Sequence, residues 1–316
     1  MSRFVRQSFL GVNSEAVLDA TTVGLVGLGG GGSHIVQQFA HIGIGRYVLA
    51  DHDRIDFTNT TRLVGGTLKD IKNKMWKTEI AARLIRSLQP NAAIIQIRDK
   101  WQTATDQLKG CDLILGAVDS FVERDQLERF ARRHLIPYID IGMDVHDLRE
   151  NGFLISGQVI LSTPGNPCLW CCGLITDKQL KQEATQYGLA GGRPQVIWPN
   201  GILASTAVGL AIQVITPWFK NPPEFAYVEY DGNKGIVSTS ARIKILKNQT
   251  CKHHPADEVG DPFFNISVHR QRLAEQRAKS HRWWKIILRR LLGSKPRPIT
   301  LLQPTTTHRR KSSLKS

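Results

Sequence analysis

At 316 residues and 41% hydrophobic side chains, the chain can bury a substantial core and has the composition of an ordinary soluble globular protein. Its formal charge of +15 suggests a nucleic-acid binder only until it is mapped. From His269 onward fourteen Lys or Arg stand against the single acid Glu275, while the preceding 268 residues carry 28 basic and 26 acidic side chains, so the body is nearly neutral and the basicity belongs to a tail.

The N-terminus has no apolar run of signal-peptide length. Two continuously apolar stretches, "TVGLVG" (22–27) and "RYVLAD" (46–51), read as strands buried on both faces of a parallel sheet. Between them, apolar positions 35, 36, 39 and 42 predict a helix over 33–42. A second helix is expected over about 73–88, then the strand "AAIIQIR", the strand "CDLILGAV" (111–118), a helix over 121–134 and the strand "PYIDIG" (137–142). This alternation predicts a doubly wound α/β unit over the first 145 residues.

The pattern then changes. "FLISGQVILS" alternates like a strand with one exposed face, and "EFAYVEYDG" and "GIVSTSARIKIL" predict a hairpin around Asp231–Gly235. The polar segment between Cys172 and Trp198 is expected to be a mobile loop with one short helix. The uncharged run 198–219 contains Pro199 and Pro217 and reads as a buried helix rather than a bilayer span. The sheet is therefore expected to be Rossmann-like and mostly parallel, continued by antiparallel strands within one domain of residues 1–265. Five cysteines, three of them Cys168, Cys171 and Cys172, form no disulfide framework and point to metal in a reducing compartment, with cytoplasm the expected location.

The first strand runs into Gly27, Gly29 and Gly32, spaced G-x-G-x-x-G, with Gly30 and Ser33 opening the helix. Asp51 stands about twenty positions later, as a nucleotide-binding strand–turn–helix requires. The glycines alone serve a dinucleotide for hydride transfer, ATP, or a tight turn with no ligand. No Lys-Ser or Lys-Thr comes after them, so a Walker loop is excluded. The charged residues downstream discriminate. Asp53, Asn59 and Arg62 lie beyond the same strand end, Lys77 (or Lys74) lies on the helix expected over about 73–88, and Asp119 ends another strand. A hydride-transfer site needs no extra cations and strand-end carboxylate around its phosphates, whereas an ATP α-phosphate under attack needs both.

"GLGGGGS", the pair Asp51 and Asp53, Asn59 with Arg62, Lys77 before "TEIAARL", and "DSFVERDQL" together resemble the ThiF/MoeB adenylyltransferases, whose fold ubiquitin-activating enzymes share. The resemblance runs from about Arg3 to Cys251 and includes "RFVRQ" at the start. It implies ATP-dependent adenylation of the C-terminal carboxylate of a ubiquitin-like or sulfur-carrier protein ending in Gly-Gly, with release of pyrophosphate. It also implies a homodimer in which Arg6 reaches the partner's site. Arg62, Lys77 and Arg6 would meet the phosphates, Asp119 a Mg²⁺ and Asp51 the ribose, with Asn59 orienting the phosphate region. Two rivals remain: a NAD-dependent oxidoreductase, and a ThiF-like binding module that has lost its chemistry.

"CLWCC" supplies Cys168 and Cys171 in C-x-x-C spacing, and "CKHH" supplies Cys251 with His253 or His254, a set suited to structural Zn²⁺. Relatives commonly carry a second C-x-x-C there, so Cys251 with His254 matches the spacing best. The mobile interval where relatives that form a thioester keep their nucleophile has no cysteine here. Finally, "HRWWKIILRRLLG" places Trp284, Ile287, Leu288 and Leu291 on one helix face amid basic residues. This segment (266–293) is expected to dock on its own domain or to meet an anionic membrane surface, an acidic protein or nucleic acid, and 294–316 to form a disordered basic tail.

Overall fold

In the computed structural model, the structure describes residues 3–185, 194–246, 249, 251–255 and 258–260. The amphipathic segment and basic tail lie outside them. The helices are α1 Ser14–Ala20, α2 Gly30–Ile42, α3 Leu68–Lys72, α4 Lys77–Leu88, α5 Thr105–Leu108, α6 Phe121–Arg133, α7 Asp177–Thr185, α8 Ile197–Ile215 and α9 Ile243–Leu246. The strands are β1 Thr22–Val26, β2 Arg46–Ala50, β3 Ala93–Ile97, β4 Leu113–Gly116, β5 Tyr138–Asp147, β6 Phe153–Ser162, β7 Ala226–Asp231 and β8 Ile236–Thr239.

The eight strands form one sheet in the order β3-β2-β1-β4-β5-β6-β7-β8. Pairings from β3 to β5 are parallel and those from β5 to β8 antiparallel. β1 and β4 are apolar along their length because both faces are covered. On one face α2 packs against α8 and α4, joining Val23, Leu25, Ile35, Phe39, Leu203 and Ala207 in a core. On the other, Leu127 and Ala131 of α6 meet Val26, Val48 and Ile114. The chain winds outward from β1 through β2 to β3, then returns to β4 on the opposite side of β1. Ligands of open α/β sheets bind at such a reversal, beyond the carboxyl ends of the strands.

Several elements differ from expectation. The helix expected over 73–88 begins only at Lys77, because Lys74 adopts a left-handed conformation (φ 49°) and Arg54 bridges to Trp76. The strand over 137–142 runs on to Asp147, paired throughout with β6. In the expected strand 235–246, β8 stops at Thr239 and the chain turns into α9. The apolar run 198–219 is α8, with Pro199 in its first turn and Pro217 just past its Thr216 cap, where proline is tolerated. With 19 residues at mean hydropathy 1.3, α8 is long and apolar enough to cross a membrane. Here it lies against α2, β5 and β6 and buries Leu203, Ala204, Ala207 and Ala211.

Candidate active site and metal centre

A crevice of about 380 Å³ opens at the carboxyl ends of the strands around the β1/β4 reversal. Gly27 turns the chain out of β1 at φ 85°, and a Cβ there would lie 2.4 Å from the Ala117 carbonyl oxygen. A Cβ on Gly32 would lie 1.9 Å from the Gly27 carbonyl oxygen, so these two glycines permit the turn itself. Gly29 and Gly30 line the crevice, and nothing lies within 4 Å of a Cβ at Gly29. No side chain caps α2, so the N–H groups of its first turn and the helix dipole are open to an anion. Gly29→Val should therefore fold with a melting temperature near wild type and bind ATP at least about tenfold more weakly. Gly32→Ala should lower the melting temperature itself. A scan of thermal unfolding and calorimetric ATP titrations separates the two effects.

Asp51 directly follows β2, nearly buried, and accepts the Leu28 N–H (2.7 Å) and the Asp53 N–H (2.8 Å). Burial pushes its carboxyl up, and Lys77 works in the opposite direction. Lys77 opens α4 with its Nζ 2.7 Å from Asp53 Oδ2 and 4.0 Å from Asp51 Oδ1. Lys74, by contrast, is exposed and does not line the crevice. Arg62 lines the crevice at the end of the short Phe57–Thr61 turn, its Nη1 donating to the Thr58 carbonyl (3.0 Å). Asp119 comes just after β4 and accepts from Gln195 Nε2 (2.9 Å). Capping of α6 falls to Ser120, whose Oγ accepts the Glu123 N–H (3.1 Å), which leaves the Asp119 carboxylate at the crevice.

Three expected site residues stand behind this wall. Gly32 is buried in the turn. Ser33 is buried too, its Oγ donating to the Gly30 carbonyl (3.0 Å) and accepting the Val64 N–H (3.0 Å), which ties α2 to the loop after Arg62. Asn59 is buried in a reciprocal cap with Asp56, each side chain accepting the other's N–H at 3.1 Å. Ser33 and Asn59 therefore shape the loop that presents Arg62 and do not face the crevice.

Arg6 does not line the crevice either. Within "RFVRQ", Arg3 donates to the carbonyls of Ala40 (2.9 Å) and Leu88, Gln7 donates to that of Ile42 (2.7 Å), and Phe4 packs on Gly43. The motif is thus fastened to the C-terminal ends of α2 and α4, the ends remote from the crevice. Arg6 itself is exposed and has no hydrogen bond or ion pair among the described residues.

Arg124 and Asn200 are among the crevice residues that had no role assigned from the sequence. Arg124 is buried and pairs with fully buried Asp140, which also accepts from Tyr138 Oη (3.0 Å). Burial pushes the Asp140 carboxyl up to about 6, against the pull of Arg124. Asn200 is buried at the start of α8 against Gly30, its Nδ2 donating to the Val196 carbonyl (2.9 Å). Arg124 lies one helical turn from Ser120, and Asn200 is one of two amides, with Gln213, in an apolar run; both signals are present in the sequence.

A second cluster forms on the other side of α6. Cys168 Sγ lies 3.6 Å from Cys171 Sγ, and each is 3.4 Å from His253 Nδ1. With Cys251 the four ligand atoms lie within 4.8 Å of one another. A tetrahedral zinc with Zn–S bonds of about 2.3 Å has edges of about 3.8 Å, so these residues fit that ion. The histidine in this group is His253, while the expected His254 forms a second group with Cys168 and Glu128 whose ligand atoms also lie within 4.8 Å of one another. His254 is buried, its Nε2 3.7 Å from Glu128 Oε2. Cys172 and Cys111 are buried in the core, where burial pushes both thiols up, Cys111 to about 12. Among the described residues no cysteine lines the crevice.

Residues 1–253 match the ThiF family. The chain is 26% identical over 172 residues to the SAMP-activating enzyme E1 of Haloferax volcanii, covering 54% of this chain and 60% of that protein. It is 24% identical over 273 residues to ubiquitin-like modifier-activating enzyme 5 of Aedes aegypti, covering 79% and 63%. The chain spans about half the length of the curated relatives it matches. Among solved structures, E. coli MccB with succinimide superposes with a TM-score of 0.62 at 20% identity, covering 76% of this chain and 71% of that one. E. coli MccB with ATP superposes with a TM-score of 0.60 at 22% identity and the same coverage.

Proposed function

The chain belongs to the ThiF family, and from that premise we propose that it is an ATP-dependent adenylyltransferase acting on a C-terminal carboxylate. The substrate is a ubiquitin-like or sulfur-carrier protein ending in Gly-Gly, and pyrophosphate is the leaving group. The observation that carries this reading is one crevice in which an uncapped helix N-terminus, the strand-end acids Asp51 and Asp119 and the cations Arg62 and Lys77 converge. ATP bound to the E. coli relative of the same fold lends it further support.

The substrate carboxylate is ionised at neutral pH and needs no general base. One of its oxygens forms the bond to the α-phosphorus, the bond to the β-phosphate bridging oxygen breaks, and pyrophosphate leaves with the electron pair. The barrier is electrostatic, since an anion approaches a polyanion. Lys77 and Arg62 offset the charge on the phosphates, the first turn of α2 binds them, and Asp51 holds the ribose. Asp119 would hold Mg²⁺, which supplies charge neutralisation of the leaving group. Calorimetry tests the nucleotide: ATP should bind in the presence of Mg²⁺ and NADH should not. Tight NADH binding without ATP binding would sink the reading in favour of an oxidoreductase.

The cysteine cluster we assign to a structural Zn²⁺ held by Cys168, Cys171, Cys251 and His253. One zinc per chain is expected by elemental analysis. Cys168→Ser, Cys251→Ser and His253→Ala should each lose it and melt at lower temperature, whereas His254→Ala should keep it. Ready alkylation of Cys168, Cys171 and Cys251 in native, metal-free protein would remove the assignment.

A further inference from the structure

Glu128 and Arg132, one turn apart on α6, are 0% and 2% exposed. A buried ion pair is costly unless its remaining donors and acceptors are satisfied, so the groups that satisfy this one indicate its role. Glu128 Oε1 accepts from Arg132 Nε (3.3 Å) and from Ser162 Oγ, and the two Glu128 oxygens share the Leu169 N–H at 3.2 and 3.0 Å. Arg132 Nη2 donates to Ser162 Oγ (2.7 Å) and to the carbonyls of Asn166 and Pro167 (3.0 Å each). One turn earlier, Asp125 Oδ1 accepts from Trp170 Nε1 (2.6 Å).

Four of the five residues from Asn166 to Trp170 are thus held by side chains of α6, and this segment belongs to no helix or strand. The other arm of the cluster meets the same helix: Arg129 pairs with Glu258 (3.3 Å), and the Arg132 carbonyl accepts the Gly260 N–H (3.2 Å). His254, next to His253, is the remaining neighbour of Glu128.

We propose that Glu128, supported by Arg132, is the positioning residue of the metal centre. By holding the Leu169 N–H, it keeps the turn between Cys168 and Cys171 at the separation a tetrahedral Zn²⁺ requires. Glu128 comes close to Cys168 and His254, but its oxygens already serve three donor groups, so it acts on the site through the backbone of the turn. The proposal rests on the assignment of Zn²⁺ to the cysteine cluster and concerns how that site is built, much as outer groups orient ligands elsewhere.

The test uses the full chain and measures zinc transfer to the chromogenic chelator 4-(2-pyridylazo)resorcinol under native conditions. Glu128→Gln should release zinc at least about tenfold faster than wild type. Leu18→Ala, a cavity in the opposite core, should lower the melting temperature without changing that rate. If Glu128→Gln fails to fold because Arg132 is left unpaired, the neutral combination Glu128→Gln with Arg132→Met replaces it, with the same acceleration expected. Release at the wild-type rate from whichever variant folds would overturn the proposal and leave Glu128 a general stabiliser. A wild-type chain that neither contains nor takes up zinc would overturn the metal assignment, and the proposal with it.

Discussion

Lys77→Ala should lower carrier-dependent ATP–pyrophosphate exchange by about a hundredfold, or about 2.7 kcal/mol of transition-state stabilisation. The size of the effect comes from location. The Lys77 side chain is only 10% exposed and stands between Asp51 and Asp53, at 4.0 and 2.7 Å. A cation so shielded acts on a phosphate through less water than a surface lysine does. Arg62 is more open and is held by one backbone contact, so Arg62→Ala should cost less, about tenfold or more. Lys74→Ala, three residues away and facing solvent, should leave exchange near wild type. Circular dichroism and thermal melts check that Lys77→Ala folds despite the two carboxylates left without their cation. Wild-type exchange in both Lys77→Ala and Arg62→Ala would move the reacting phosphate out of this crevice.

Arg6→Ala should abolish exchange while leaving the fold intact. Arg3, Phe4 and Gln7 hold "RFVRQ" to the remote ends of α2 and α4, so Arg6 stands exposed and outside its own chain's crevice. If Arg6 meets the phosphates, as the resemblance to the ThiF/MoeB adenylyltransferases implies, the site it completes belongs to the other chain of a two-fold dimer. Mixing Arg6→Ala with Asp119→Ala should then restore activity. In a freely exchanging equal mixture about half the dimers carry one intact site of two, so recovery should reach about a quarter of wild type. No recovery, with subunit exchange verified by differently tagged chains, would take Arg6 out of the partner's site.

The half of the fold that builds the crevice was legible because its signals are local. Buried parallel strands are continuously apolar, and Gly27 and Gly32 stand where the turn forbids a side chain. The ordered set from Asp51 to Asp119 marked the crevice wall. What escaped depended on contacts between distant segments. Ser33 and Asn59 carry the right chemistry for a phosphate site, but Val64 and Asp56 occupy them. Arg124 becomes a crevice residue only once α6 packs on β5, and Asn200 only once α8 packs on α2. Spacing favoured His254, whereas both histidines come close to Cys168, His253 together with Cys171 and Cys251 and His254 together with Glu128. The late start of α4 turns on the single left-handed residue Lys74.

The central claim is that a carboxylate attacks ATP in this crevice. Exchange of labelled pyrophosphate into ATP tests it most directly, with a small Gly-Gly-terminated carrier protein as co-substrate. The same carrier extended by one blocking residue serves as control. The account predicts Mg²⁺-dependent exchange with the free Gly-Gly carboxylate, none with the extended carrier and only a residual rate with Lys77→Ala. Exchange that proceeds equally with the extended carrier, or its absence while the wild-type chain binds both ATP and carrier, would contradict it.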